Sequence, residues 1–299
     1  MRRPEILVLG GTGMLGHRVA LELARAGAPV LAAVRGAGHG PGSALEALLP
    51  PGSVSWGFDA RDLASVERLL TTARPRVIVN CAGVVKQRAE GADAEACIAV
   101  NALFPHTLAR LASAFGGRVL HVSTDCVFSG ERGGYREDDP CDARDLYGRS
   151  KALGELRDGD VVTVRTSLVG RQLSGTASLL EWFLAQPGPV VRGFTEAFFS
   201  GVTTLELARV LAKLSGIWTP LRGLYHVAGP KIAKRDLLKL FRDAFGRPVT
   251  VQPDASVVID RSLDGARFEQ ATGWRAPGWP AMVDELAADS AADVRVRTA

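Results

Sequence analysis

The 299-residue chain is 46% hydrophobic and 23% charged, long enough to bury a sizeable core without disulfide or metal staples. Its formal net charge of +4 comes from scattered Lys and Arg, and only 6% of residues are aromatic. That argues against a nucleic-acid partner and for a small ligand bearing a diphosphate.

No apolar run reaches the roughly 18 residues of a membrane span, and no signal-peptide pattern opens the chain. Cys81, Cys97, Cys126 and Cys141 lack zinc-ligand spacing, so no metal is expected; a cytoplasmic protein with reduced thiols is. In chain order, near-continuous apolar runs at 5–9, 29–34, 54–58, 77–80, 119–123 and 161–166 predict strands buried on both faces, as in a parallel sheet. Between them, Leu63, Val66, Leu69 and Leu70 keep helical spacing, as do Val100, Leu103, Leu108 and Leu111, with a bend expected at Pro105. Further helices are expected over 178–186, 205–214 and 237–245, and strands over 224–227 and 249–251. A Pro-rich stretch near 277–280 and a frayed end over 287–299 follow. The alternation predicts a doubly wound, Rossmann-type α/β sheet with a smaller C-terminal substrate lobe. Residues 1–166 form the dinucleotide-binding domain in this reading, 202–228 return to it, and 167–299 mostly build the lobe.

Gly10, Gly13 and Gly16 stand between the first strand and first helix as G-x-x-G-x-x-G. Missing side chains there permit a tight turn and close approach to a pyrophosphate, which the helix N-terminus receives. Thr12, Met14 and Leu15 belong to the same cofactor turn. The second strand ends in Ala33-Val34-Arg35 with no acidic residue to hold ribose hydroxyls. Arg35 offers a cation for a 2′-phosphate, so NADPH is expected over NADH, which stays possible. Asp59 and Ala60, after the third strand, are candidates for the adenine end.

Tyr147 and Lys151 lie four residues apart on one helical face. An ammonium beside a phenol is expected to lower its pKa and give an acid–base group. Ser123-Thr124-Asp125 ends the fifth strand at the sheet edge where α/β ligands bind, so the Thr124 hydroxyl is placed to hold a substrate carbonyl. Cys81, Ala82, Gly83 and Asn101 are further cofactor candidates, and Val84, Asp125, Cys126 and Arg267 substrate candidates. Lys231, Trp182, Phe194 and Phe198 are weaker ones.

The glycine turn, Asn80-Cys81-Ala82-Gly83, Ser123-Thr124-Asp125 and the Tyr147/Lys151 pair together resemble the extended short-chain dehydrogenase/reductase superfamily. Val122 to Phe128, Tyr147 to Lys151, Val164 to Ser167, Gly201 to Thr203 and Leu263 to Phe268 resemble, within it, the dTDP-4-dehydrorhamnose reductase family. The resemblance implies hydride transfer from NADPH to the C4 ketone of a nucleotide-linked deoxysugar. Tyr147 would be proton donor, Thr124 the carbonyl's partner, and Lys151 the ribose ligand. The family usually carries Tyr where Cys126 stands and an aromatic where Leu168 stands, which leaves the sugar open. The Asp–Glu pair of sugar-nucleotide dehydratases is missing, because Cys126 follows Asp125. An epimerase-reductase pairing Cys126 with His226 is one alternative. A non-catalytic, NADP-binding subunit, like the regulatory subunit of methionine adenosyltransferase, is another. A homodimer is compatible with any of these readings.

Overall fold

The computed structural model describes residues 4–36, 38, 40–85 and 89–298. The six apolar runs fold as β1 (Ile6–Leu9), β2 (Val30–Ala33), β3 (Val54–Ser55), β4 (Val77–Asn80), β5 (Arg118–Val122) and β6 (Val161–Arg165). All pair in parallel, and Gly223–His226 adds a seventh strand beside β6. Across the sheet the order is Gly223–His226, β6, β5, β4, β1, β2, β3, so the winding reverses between β1 and β4. Ligands of such sheets enter at that reversal, beyond the carboxyl ends of the strands. β3 is shorter than expected because Gly57 takes φ +82°, which ends the extended run.

The crossover helices are α1 (Gly16–Arg25), α2 (Pro41–Glu46), α3 (Leu63–Ala73), α4 (Ala94–Cys97), α5 (Phe104–Ser113) and α6 (Leu146–Leu153). Asp62, Asp93 and Asp145 start α3, α4 and α6 by accepting amide hydrogen bonds. A π-helical segment, Ile98–Leu103, joins α4 to α5. Pro105 falls in the first turn of α5, where its missing N–H is tolerated, so the helix is widened by a π-turn rather than broken there. One face of the sheet is covered by α3 and α5 around Leu70, Phe104 and Leu108. The other is covered by α1 and the helix Thr204–Ser215, around Val19, Leu207 and Leu211.

The lobe grows from the carboxyl end of the sheet. Leu168–Val169 pairs with Val202–Thr203, and Ala197–Phe199 lies between Ile232–Ala233 and Ile259–Asp260. Val190–Phe194 pairs with Thr250–Asp254, a longer strand than 249–251 suggested. The helix expected at 178–186 is Leu179–Leu184, capped by Ser178, and that expected at 237–245 begins earlier, at Lys234. The Pro-rich stretch opens a helix, Trp279–Thr298, instead of a frayed tail; Ala299 lies outside the described residues. Buried Met282, Val283 and Leu286 explain the order, and the Arg18–Asp289 ion pair at 2.6 Å ties that helix to α1.

Candidate active site

A cleft of about 780 Å³ runs along the carboxyl ends of the central strands to the lobe. Its floor at one end is the glycine turn. Gly10 holds φ +76°, and a Cβ there would sit 2.9 Å from the Ala82 nitrogen. A Cβ on Gly16 would lie 2.1 Å from the Gly10 oxygen, so Gly16 acts from beneath the turn and does not line the cleft. Gly13, Thr12, Met14 and Leu15 do line it. Among the described residues, no backbone acceptor meets the amides of Thr12, Met14 and Leu15, and α1 has no side-chain cap. Free amides at a helix start, on a turn without side chains, suit a pyrophosphate.

Arg35 is exposed on the cleft wall, and Arg61 lines the same wall, a second cation that the sequence reading missed. Asp59 and Ala60 also line the cleft. The Asp59 carboxylate is held by Arg61 at 3.3 and 3.1 Å, and that hydrogen-bonded guanidinium keeps it below its usual range. Cys81, Ala82, Gly83 and Val84 form the neighbouring wall. Asn101 does not reach the cleft. Fully buried on the π-segment, it accepts from the Val84 amide at 2.9 Å and donates to the Val84 carbonyl and to Ser150. It braces the wall against α6.

Thr124, Tyr147 and Lys151 meet in the middle of the cleft. Gly148 brings α6 close enough: a Cβ there would stand 2.2 Å from the Cys126 oxygen and 2.5 Å from the Ala143 Cβ. The Thr124 hydroxyl donates to Asp125 at 3.1 Å and accepts from the Cys126 amide at 3.1 Å. Lys151 donates to the Val122 carbonyl at 2.8 Å, and burial lowers its pKa to about 8. Tyr147 corrects an expectation. Half-buried on the cleft lining, its phenol is pushed above its ordinary value by burial, with the Thr124 hydroxyl pulling the other way. The phenol is therefore held as an acid, not predisposed to ionise.

Towards the lobe the cleft is lined by Asp125, Cys126, Gln172, Ser178, Trp182 and Arg261. Buried Asp125 is raised by desolvation, against the pull of Arg261. Arg261 donates to the Phe128 carbonyl at 2.9 Å and points a guanidinium nitrogen at Cys126 Sγ, 3.8 Å away. Phe198 and Lys234 also line this end.

Arg267 is a correction: it pairs with Asp138 and Glu137, and none of the three lines the cleft. Lys231 pairs with Asp260 and lies over the Phe198 ring, and Phe194 stays off the lining. His226 is fully buried, bonded to Arg165 at 3.3 Å and to the Asp264 carbonyl at 3.2 Å. Burial and the Arg165 charge hold its pKa down to about 3, and it does not line the cleft beside Cys126. Arg261 was missed because it reaches the cleft through contacts with Phe128 and Cys126, segments distant in sequence, whereas Arg61 sits two residues beyond Asp59, within reach of the sequence reading.

The family model described as the RmlD substrate binding domain matches residues 4–237. A dTDP-4-dehydrorhamnose reductase of Streptomyces griseus is 36% identical over 298 residues, covering 92% of this chain and 88% of that protein. Methionine adenosyltransferase 2 subunit beta of Xenopus tropicalis is 30% identical over 310 residues, covering 93% and 88%. The crystal structure of dTDP-4-dehydrorhamnose reductase from Bacillus anthracis str. Ames in complex with NADP matches with a TM-score of 0.77 at 20% identity. It covers 95% of this chain and 99% of that one, a likeness of fold. With the family model spanning most of its length and these relatives matching almost all of it, this chain belongs to the RmlD substrate-binding domain family.

Proposed function

We propose that the protein is an NADPH-dependent reductase of a keto group, at C4, on a nucleotide-linked deoxysugar. The observation that carries this reading is the single cleft in which the glycine turn, Thr124, Tyr147 and Lys151 converge. The free amides of Thr12, Met14 and Leu15 would hold the pyrophosphate, Arg35 with Arg61 the 2′-phosphate, and Lys151 the nicotinamide ribose. Bound there, the dinucleotide supplies the hydride. Thr124 orients the substrate carbonyl oxygen, and Tyr147 gives that oxygen its proton, so the ketone leaves as an alcohol and the phenol recovers its proton from the Lys151 side. Arg261 and Lys234, in place of Arg267 and Lys231, are the cations for the substrate diphosphate. Trp182, 40% exposed at the cleft, offers its ring to the base. Among the described residues Cys81, Cys97, Cys126 and Cys141 form no disulfide, which suits a reducing cytoplasm, and no helix is long and apolar enough to cross a membrane.

The test is a panel of nucleotide-linked keto sugars with NADPH, followed by loss of cofactor absorbance. Expected is stoichiometric alcohol with at least one 4-keto sugar, and about a 100-fold or greater loss of turnover in Tyr147→Phe with cofactor affinity retained. The likeness to methionine adenosyltransferase 2 subunit beta, 30% identical and named as a subunit of another enzyme, motivates a second reading, cofactor binding without catalysis. A protein that is thermally stabilised by NADPH but reduces no member of the panel would be of that kind.

A homodimer is part of the same proposal. Glu95, Ile98, Leu103, His106 and Arg110 trace one exposed stripe along α4, the π-segment and α5. Ile98, Leu103 and neighbouring Leu153 are 52%, 62% and 68% exposed. The acid opens the stripe and the arginine closes it, so antiparallel packing on a second copy sets unlike charges opposite each other at both ends. Sedimentation is expected to give a dimer that Leu103→Glu converts to an active monomer. A wild-type monomer at all concentrations would refute the assembly.

A further inference from the structure

Glu155 and Arg165 make a buried ion pair just outside the cleft, with 3% and 0% of their side chains exposed. The contact is bidentate: Arg165 Nε donates to Glu155 Oε1 at 2.6 Å, and Nη2 donates to Oε2 at 2.6 Å. Arg165 is engaged on every side, by His226 Nε2, the Glu137 carbonyl, Cys141 Sγ and the Phe128 ring at 5.0 Å. Neither residue lines the cleft. A pair so desolvated is often no more stabilising than apolar side chains of the same shape, so its presence calls for a reason other than packing.

Two contacts supply one. Glu155 Oε1 also accepts from the Ser123 hydroxyl at 2.8 Å, and Ser123 immediately precedes Thr124. Glu155 also lies four residues after Lys151, just beyond the end of α6, and its charge acts on the Lys151 ammonium. The groups facing that ammonium are Glu155, Cys81 after β4, and His121 and the Val122 carbonyl on β5. Burial pushes the Cys81 thiol up to about 12 and the His121 imidazole well below its ordinary value, so both are neutral. Glu155 is the carboxylate among them.

We propose that Glu155 is a positioning residue for proton transfer: it pins the Thr124 strand end through Ser123 and provides the negative charge that keeps the Lys151 ammonium protonated beside Tyr147. Arg165 holds the carboxylate in place without competing for Lys151. The proposal rests on the reductase reading, and it adds a residue that touches neither substrate nor cofactor. Burial alone draws Lys151 towards deprotonation, and the carboxylate opposes it.

The experiment compares wild type, Glu155→Gln, Glu155→Asp and the double variant Glu155→Gln/Arg165→Met in the pH profile of kcat/KM. The double variant removes both charges together, which keeps the test open if the single change leaves an unfoldable lone guanidinium. Expected is an alkaline limb displaced to lower pH by about one unit, a tenfold change in the proton equilibrium, in Glu155→Gln, and in the same direction by less in the double variant, where the Arg165 charge leaves with the carboxylate's. Glu155→Asp is expected to restore it. A uniform fall in kcat with the limb unmoved would overturn the proposal and leave Glu155 a packing residue. The pH dependence of Lys151 acetylation by acetic anhydride, read by mass spectrometry, reports the same equilibrium without turnover. Displacement there in an inactive protein would sink the reductase reading and spare the charge argument, whereas no displacement would sink the charge argument alone.

Discussion

At the scale of single residues, the outer wall of the cleft decides which dinucleotide binds. Arg35 projects from the end of β2 where an acidic residue would favour ribose hydroxyls, and Arg61 stands on the same wall although Asp59 already occupies much of its charge. Arg35 is therefore the freer cation for a 2′-phosphate. A charge-assisted hydrogen bond is worth about 1.5–3 kcal/mol, so Arg35→Ala is expected to raise KM for NADPH by roughly 10- to 100-fold. KM for NADH should change little; equal losses with both cofactors would remove Arg35 from phosphate recognition. Arg35, Tyr147 and Lys151 were legible in the sequence because each is fixed by its own strand or helix. Arg261 was not, since it arrives from the strand Ile259–Asp260, more than a hundred residues after the Cys126 it approaches. Arg267 misled for the converse reason: a cation in the right lobe was taken up by Asp138 and Glu137 before it could face the cleft.

At the scale of elements, the distance between α6 and the segment after β5 sets how Tyr147 stands against Thr124. Gly148 lets the helix lie against the Cys126 carbonyl, and Asn101 on the π-segment ties α6, through Ser150, to the Val84 wall. In Gly148→Ala the new methyl would collide with backbone, which must shift because no flexible side chain is there to yield. Small-to-large changes of this kind cost about 1–3 kcal/mol. Misplacement of the proton donor by about 1 Å can cost on the order of 100-fold in turnover. The variant should therefore keep its affinity for NADPH while kcat falls by roughly that factor; unchanged kcat would mean the helix spacing is not what aligns Tyr147. The strands were readable from their continuous apolar runs, and β1, β2, β4, β5 and β6 fall within about a residue of those runs. The lobe was less readable, because its two- and three-residue strands, such as Ile232–Ala233 and Ala197–Phe199, are too short to show a period. They form through pairing between distant segments, and the helix Trp279–Thr298 is ordered by packing that its Ala- and Asp-rich sequence does not advertise.

At the scale of the whole molecule, two buried imidazoles make stability depend on mild acid. His226 is bonded within the Arg165 cluster and His121 accepts from Asn80 at 3.1 Å, and burial disfavours the charged form of each. For His226 the folded pKa is about 3, against 6.5 for the free side chain. Between these values the unfolded chain binds more protons than the native one, so stability rises with pH through the window and falls as pH drops below 6.5. Carboxylates with ordinary values near 4 contribute mainly at the acid end, while Asp125, raised by burial, takes its proton in the native state and acts in the opposite sense, so the histidine part is read from the difference between wild type and a histidine variant. A proton forced onto the unfolded side over that range corresponds to about 3 kcal/mol for His226 alone. Thermal unfolding of the wild type should therefore shift to lower temperature steadily from pH 6.5 to pH 4. In His226→Gln, which keeps an amide in the Arg165 cluster but cannot titrate, the same curve should be distinctly flatter, whatever its absolute midpoint. Parallel curves for the two proteins would mean that the imidazole is protonated in the native state, and with it that the charged cluster behind β6 is more open to water than its burial indicates.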